Sequence, residues 1–99
     1  MAFEICYSPE AVDHLLALTK FEQTTDLDQV EQQLTHQPQL PTRRRKLLRP
    51  NSIAPWELRL GDLRVFYEVQ EQPSSVVNVK AVGKKIGSQL WIGGERIDL

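Results

Sequence analysis

Two periodicities divide the chain: apolar residues recur at helical spacing before Pro38 and in alternation after Pro41. Phe3–Tyr7 reads as a short strand, and Ser8-Pro9 starts a helix, with Ser8 as the N-cap and Pro9 in the first turn. Ala11, Val12, Leu15, Leu16, Leu18 and Phe21 then predict a helix over residues 9–21 with one buried face. Glu22-Gln23-Thr24-Thr25 reads as a polar break before a second helix at about 26–37. Its narrow apolar stripe is Leu27, Val30 and Leu34, and Pro38 marks its stop. Together the two segments predict a helical hairpin.

The second half reads as strands. Thr42–Leu48 is a strand candidate, residues 49–55 form a loop on their two prolines, and Trp56–Leu60 and Leu63–Val69 flank a two-residue Gly61-Asp62 turn. Pro73-Ser74-Ser75 turns the chain into Val76–Val82, whose β-branched run suits the most central strand. Residues 83–87 read as a basic turn, and residues 90–97 as a small hairpin about Gly93-Gly94. The order is β-α-α-β-β-β-β, which predicts a single α+β domain of residues 1–99 with two helices packed on an antiparallel sheet.

The Gly61-Asp62 turn fixes a register. With Leu60 opposite Leu63, Arg59 faces Arg64 and Glu57 faces Phe66. Alternation sends Trp56, Leu58, Leu60, Leu63, Val65, Tyr67 and Val69 to the core face and Glu57, Arg59, Arg64, Phe66 and Glu68 to the other. Two arginines directly opposite, with Cβ atoms about 5 Å apart, repel unless an anion or a carboxylate lies between them. Glu57 or Glu68 could neutralise the pair in an exposed lattice. Alternatively, the two guanidinium forks could grip a phosphate. Lys84 and Lys85 could close over the same face, or could be an ordinary solvated turn. Arg43, Arg44, Arg45, Lys46 and Arg49 form a basic strip suited to a nucleic-acid backbone. Phe66 could stack a base or pack under a loop.

Composition narrows the class. In 99 residues, 40% apolar and 25% charged, there is room for one core, and disorder is excluded. No apolar run approaches the roughly 20 residues of a spanning helix, and no secretory signal is visible. Cys6, the sole cysteine, reads as a buried inert thiol, while His14 and His36 read as surface residues. No metal-ligand set or cofactor motif stands out, so a cytoplasmic, cofactor-free protein is expected. The net charge of −1 hides an asymmetry. Residues 1–41 carry seven acids against Lys20, and residues 42–99 carry eleven bases against six acids. That polarity suits a polyanion on one side of the molecule.

These stretches together resemble the RelE/ParE superfamily of bacterial type II toxin–antitoxin toxins over almost the full length. The resemblance rests on Tyr7-Ser8-Pro9-Glu10-Ala11, Pro55-Trp56-Glu57-Leu58-Arg59, Leu63–Val69 and Ala81-Val82-Gly83-Lys84-Lys85. It implies a cytoplasmic toxin neutralised by a cognate antitoxin protein. Members either cut mRNA on the ribosome, the ribose 2′-OH attacking the adjacent phosphate, or inhibit DNA gyrase. RNA cleavage is the expected activity here, with gyrase inhibition or antitoxin binding without catalysis as the alternative. By the resemblance, Arg59, Arg64 and Lys85 fall where RelE-like enzymes keep catalytic bases. Glu57 falls where a lysine is usual and could act as a general base, and Trp91 falls near the position of a C-terminal catalytic tyrosine. Arg43–Lys46, Arg49, Lys84 and Phe66 would then contact RNA.

Overall fold

In the computed structural model, which describes residues 2–98, two helices cover one face of a seven-stranded sheet. The elements are β1 (Glu4–Tyr7), α1 (Pro9–Leu16), α2 (Lys20–Leu34), β2 (Arg45–Leu47), β3 (Trp56–Leu60), β4 (Leu63–Gln70), β5 (Val76–Ile86), β6 (Gln89–Ile92) and β7 (Glu95–Ile97). Strands β2 to β7 follow one another across the sheet as an antiparallel meander. β1 departs from the expected antiparallel pattern. It runs parallel to β5, beside Val76–Val79, while β6 lies along Gly83–Ile86 of the same strand. β5 is therefore central, as its β-branched run predicted, because β4 occupies its other edge.

The helix boundaries differ from the pattern-based expectation. Ser8 does cap α1, its hydroxyl accepting from the Ala11 N–H at 3.1 Å. The helix stops at Leu16, however, and α2 begins at Lys20, inside the segment expected to continue α1 and ahead of the expected break. A capping box explains the early start. Thr19 accepts from the Glu22 N–H at 3.1 Å, and Glu22 returns the bond to the Thr19 N–H at 3.0 Å. With the helices rephased, Ala11 and Leu15 remain buried, whereas Leu16 and Phe21 are 65% and 81% exposed. Leu27 also leaves the expected stripe and stands half exposed, although Val30 and Leu34 are buried.

Between helices and sheet lies the main core, in which Ala11, Val30 and Leu34 meet Trp56, Leu58, Val65, Tyr67, Val77 and Val79. The alternation in β3 and β4 is borne out: from Trp56 to Tyr67 the residues expected on the core face are buried there, and Val69 packs at its edge. Trp56 and Tyr67 stack with ring centroids 6.1 Å apart. The Tyr67 hydroxyl donates to the Pro38 carbonyl at 2.7 Å, and burial raises its pKa. One polar pair enters the core. The Tyr7 hydroxyl donates to Asp26 Oδ1 at 2.8 Å, and Asp26 is fully buried. Burial lifts the Asp26 carboxyl to about 6, and burial beside Asp26 also raises the Tyr7 hydroxyl.

A second, smaller cluster lies on the opposite face of the sheet. Ala54, Phe66, Ala81 and Ile92 are buried there, joined by Leu48, Ile53, Leu90 and Ile97. This cluster ties the 49–55 loop and the β6–β7 hairpin to the sheet. Gly83 is required for the hairpin's approach, since a Cβ there would lie 2.8 Å from both Ile92 Cγ1 and the Trp91 carbonyl oxygen. Residues 83–86, expected as a turn, instead continue β5, and the chain reverses at Gly87-Ser88. Cys6 is half-buried rather than fully enclosed. No helix among the described residues is long and apolar enough to cross a membrane.

Candidate nucleic-acid interface

The register derived from the Gly61-Asp62 turn is the one observed. Arg59 pairs with Arg64, Glu57 with Phe66 and Leu60 with Leu63, and Gly61 takes the positive φ (+62°) that the turn needs. The Arg59 N–H is directed away from β4, to the Arg44 carbonyl of the β2 side at 2.8 Å. The arginine pair is therefore of the non-hydrogen-bonded kind, in which facing side chains lie closest. β5 adds a third cation. Gly83 faces Arg64, so alternation puts Lys85 on the arginine face and Lys84 on the helix face. A bond from the Lys85 N–H to the Asp62 carbonyl, 2.7 Å, ties this part of β5 to the β3–β4 turn.

These residues line an open cleft of about 840 Å³. Its walls come from Lys46, Arg49 and the rest of the 46–51 segment, from β3–β5 through Glu57, Arg59, Arg64 and Lys85, and from the tail through Arg96 and Asp98. Six bases thus face two acids, Glu57 and Asp98. Each arginine of the central pair is anchored through one nitrogen. Arg59 Nε donates to Glu57 Oε1 at 3.0 Å, and Arg64 Nη1 donates to the Gly61 and Leu63 carbonyls at 2.5 and 2.9 Å. Among the described residues, no partner takes the remaining guanidinium N–H groups of either. Two oriented forks with spare donors on one face can hold an anion's oxygens. Glu57 is 8% exposed, lying on its strand between Lys46 of β2 and Phe66 of β4. Glu68, the other acid considered as a neutraliser, pairs instead with Lys80 at 3.6 Å.

Three expected nucleic-acid contacts are corrected. Phe66 is fully buried under Ala54, Ala81 and Ile92, so it packs beneath the loop and hairpin and has no ring face for a base. Lys84 sits on the helix face, its Nζ 2.6 Å from Glu22 Oε2. That hydrogen bond raises the lysine's pKa and lowers the glutamate's, and it fastens β5 to the first turn of α2. Arg45 turns under α2, where its Nη1 donates to the carbonyls of Gln33, His36 and Gln37. It closes the C-terminal end of the helix, where orphan carbonyls favour a cation. Arg43 and Arg44 are exposed outside the cleft lining, and Lys46 and Arg49 are within it. Trp91 faces Lys84 across β5–β6 and therefore lies on the row away from the arginines.

Two further contributors were not legible beforehand. Arg96 joins the lining only because the tail folds back as β7 on β6. Asn51 holds the loop that carries Arg49. Its Oδ1 accepts from the N–H groups of Ile53 and Ala54 (2.8 and 3.0 Å), and its Nδ2 donates to the carbonyls of Arg49 and Ala54 (2.8 and 2.9 Å). The two prolines of residues 49–55 signalled a loop, but not that one side chain would make four bonds within it. His14 is half-buried rather than a plain surface residue, with Nδ1 accepting from the Val82 N–H at 3.3 Å. No group of three or more metal-ligating side chains occurs among the described residues. No family model matches the chain, and no curated protein matches it.

Proposed function

We propose that this protein is a toxin of RelE/ParE type that cuts mRNA on the ribosome, with the basic cleft as the site that receives the scissile phosphate. The observation that carries the reading is the Arg59–Arg64 pair, facing on neighbouring strands with Lys85 on the same side and spare guanidinium donors opening into the cleft. Arg59 and Arg64 hold the phosphate oxygens, and Lys85 stabilises the charge that develops as the 2′-oxygen attacks phosphorus and the bond to the 5′-oxygen breaks. Glu57 is the carboxylate available to take the 2′-OH proton. Lys46 and Arg49 track the adjoining backbone. The acidic helices lie on the other side of the sheet, away from a polyanion. Phe21, Leu16 and Val12, exposed on the helices, offer hydrophobic surface to a cognate antitoxin.

A second reading, a gyrase inhibitor or an antitoxin-binding toxin without catalysis, is favoured by two observations. Trp91 lies on the helix-side row, and the cleft's one buried carboxylate is already paired with Arg59. Mapping new mRNA 5′ ends after induced expression, alongside plasmid supercoiling in the same cells, separates the readings. Cuts phased with codons support the nuclease. Relaxed or broken DNA with intact mRNA overturns it in favour of gyrase, and neither effect, with antitoxin binding retained, leaves a binder.

A further inference from the structure

We infer that Glu57 and Arg59 form a latch that an incoming phosphodiester must open: the substrate phosphate displaces Glu57 Oε1 from Arg59 Nε, so the carboxylate is released at the moment a phosphate arrives beside it. This deepens the proposed function and rests on the cleft being a phosphate site. The contact is a 3.0 Å hydrogen-bonded ion pair between a side chain that is 11% exposed and one that is 43% exposed, so one end is fixed and the other can move. Glu57 is confined by its neighbours. Phe66, fully buried, lies across from it on β4, and Lys46 lies across from it on β2. Arg59 is on the open side, its remaining N–H groups unclaimed among the described residues.

A phosphate approaching Arg59 and Arg64 meets one guanidinium held by backbone carbonyls and another held by a carboxylate. The carbonyls are neutral and compete weakly. The carboxylate carries a full negative charge, repels the phosphate and satisfies the Nε–H that a bidentate grip through Nε and Nη would use. Among the described residues, Arg64 thus keeps its Nε–H free in the resting protein, whereas Arg59 offers an anion only its Nη groups. Anions too weak to displace Glu57 meet Arg59 only through its Nη groups, so the latch discriminates between incidental anions and a phosphodiester that also engages Lys85 and Arg64. Once the pair opens, Arg59 is the end that moves, and the confined Glu57 carboxylate stays beside the bound ligand.

Binding of a fluorescent oligonucleotide carrying 2′-O-methyl groups at every ribose, which cannot be cleaved by 2′-OH attack, tests this on the folded protein. Glu57→Gln keeps an oxygen for Arg59 but removes the charge, and it is expected to tighten binding about tenfold while abolishing the codon-phased mRNA cuts seen on induced expression. In an Arg59→Gln background the same change is expected to give no gain. Unchanged or weaker binding by Glu57→Gln, with wild type binding normally, overturns the latch and leaves the phosphate site standing. A gain that persists without Arg59 also overturns it, because the carboxylate would then act by bulk repulsion. Absence of binding by every protein overturns the phosphate site as well. A wild-type readout guards against a misfolded variant. The Arg59 Nε–H resonance should shift on adding the oligonucleotide, and an unmoved resonance at saturation contradicts displacement.

Discussion

The two faces of the sheet use similar residues for opposite ends. On the helix face, cations serve as structural ties: Lys84 fastens α2 at its first turn, and Arg45 closes the same helix at its last. On the open face, Arg59, Arg64 and Lys85 stand along a cleft with donors left over. Adjacent lysines, 84 and 85, fall on different faces solely because β5 runs on as a strand to Ile86. The distinction between a tied cation and one with donors to spare therefore comes from strand parity and from which acid is in reach, and the charge of the segment does not reveal it.

The largest expected effect that would break this contrast concerns the helix face. Burial raises the Asp26 carboxyl to about 6, while the hydrogen bond from Tyr7 works in the other direction. Its folded pKa exceeds the unfolded value near 3.8, so its contribution is fully present below about pH 3.8 and is lost as pH rises through 6. The loss is on the order of 3 kcal/mol. Denaturant unfolding between pH 4 and pH 8 should show Asp26→Asn lacking a decline that wild type has, with RNA binding the same in both. Equal pH dependence in the two proteins would remove Asp26 from the account.

Next comes Arg45. Replacing it with Met keeps much of the side chain's bulk but strips three carbonyls of their donor, and should cost about 2 kcal/mol in denaturant unfolding. Oligonucleotide affinity should be unchanged, and a marked loss of affinity would return Arg45 to the binding surface. The smallest effect sharpens the comparison most. Lys85→Ala should weaken oligonucleotide binding a few-fold and lower its logarithmic salt slope by about 0.7, the share of one single-strand phosphate contact. Lys84→Ala should leave both unchanged, because that lysine is engaged with Glu22 on the other face. Equal losses for the two lysines would contradict the division.

Much of the fold and part of the site could be read from the residues alone. The Gly61-Asp62 turn sets the β3–β4 register, and with it the opposition of Arg59 and Arg64, because hairpin pairing is local and has a period of two. The start of α2 was missed because Thr19 and Glu22 act through a capping box, whereas the apolar spacing ran straight across it. Phe66 was on the expected face, but burial of that face depends on the 49–55 loop and the tail packing over it, contacts remote in sequence. Arg45 sat in a run of bases whose individual directions follow only from the strand's pairing and the nearby end of α2. The parallel pairing of β1 with β5 likewise joins residues some seventy positions apart, which no local pattern encodes.

The most direct test of the central claim is growth inhibition by Arg64→Ala, measured with its far-ultraviolet circular dichroism and unfolding temperature. Arg64 is held only through backbone carbonyls of the turn and makes no ion pair among the described residues. The account therefore predicts an intact fold with inhibition and codon-phased mRNA cuts reduced at least about a hundredfold, the scale expected for loss of a group that stabilises transition-state charge. A folded Arg64→Ala protein that remained fully toxic would contradict it.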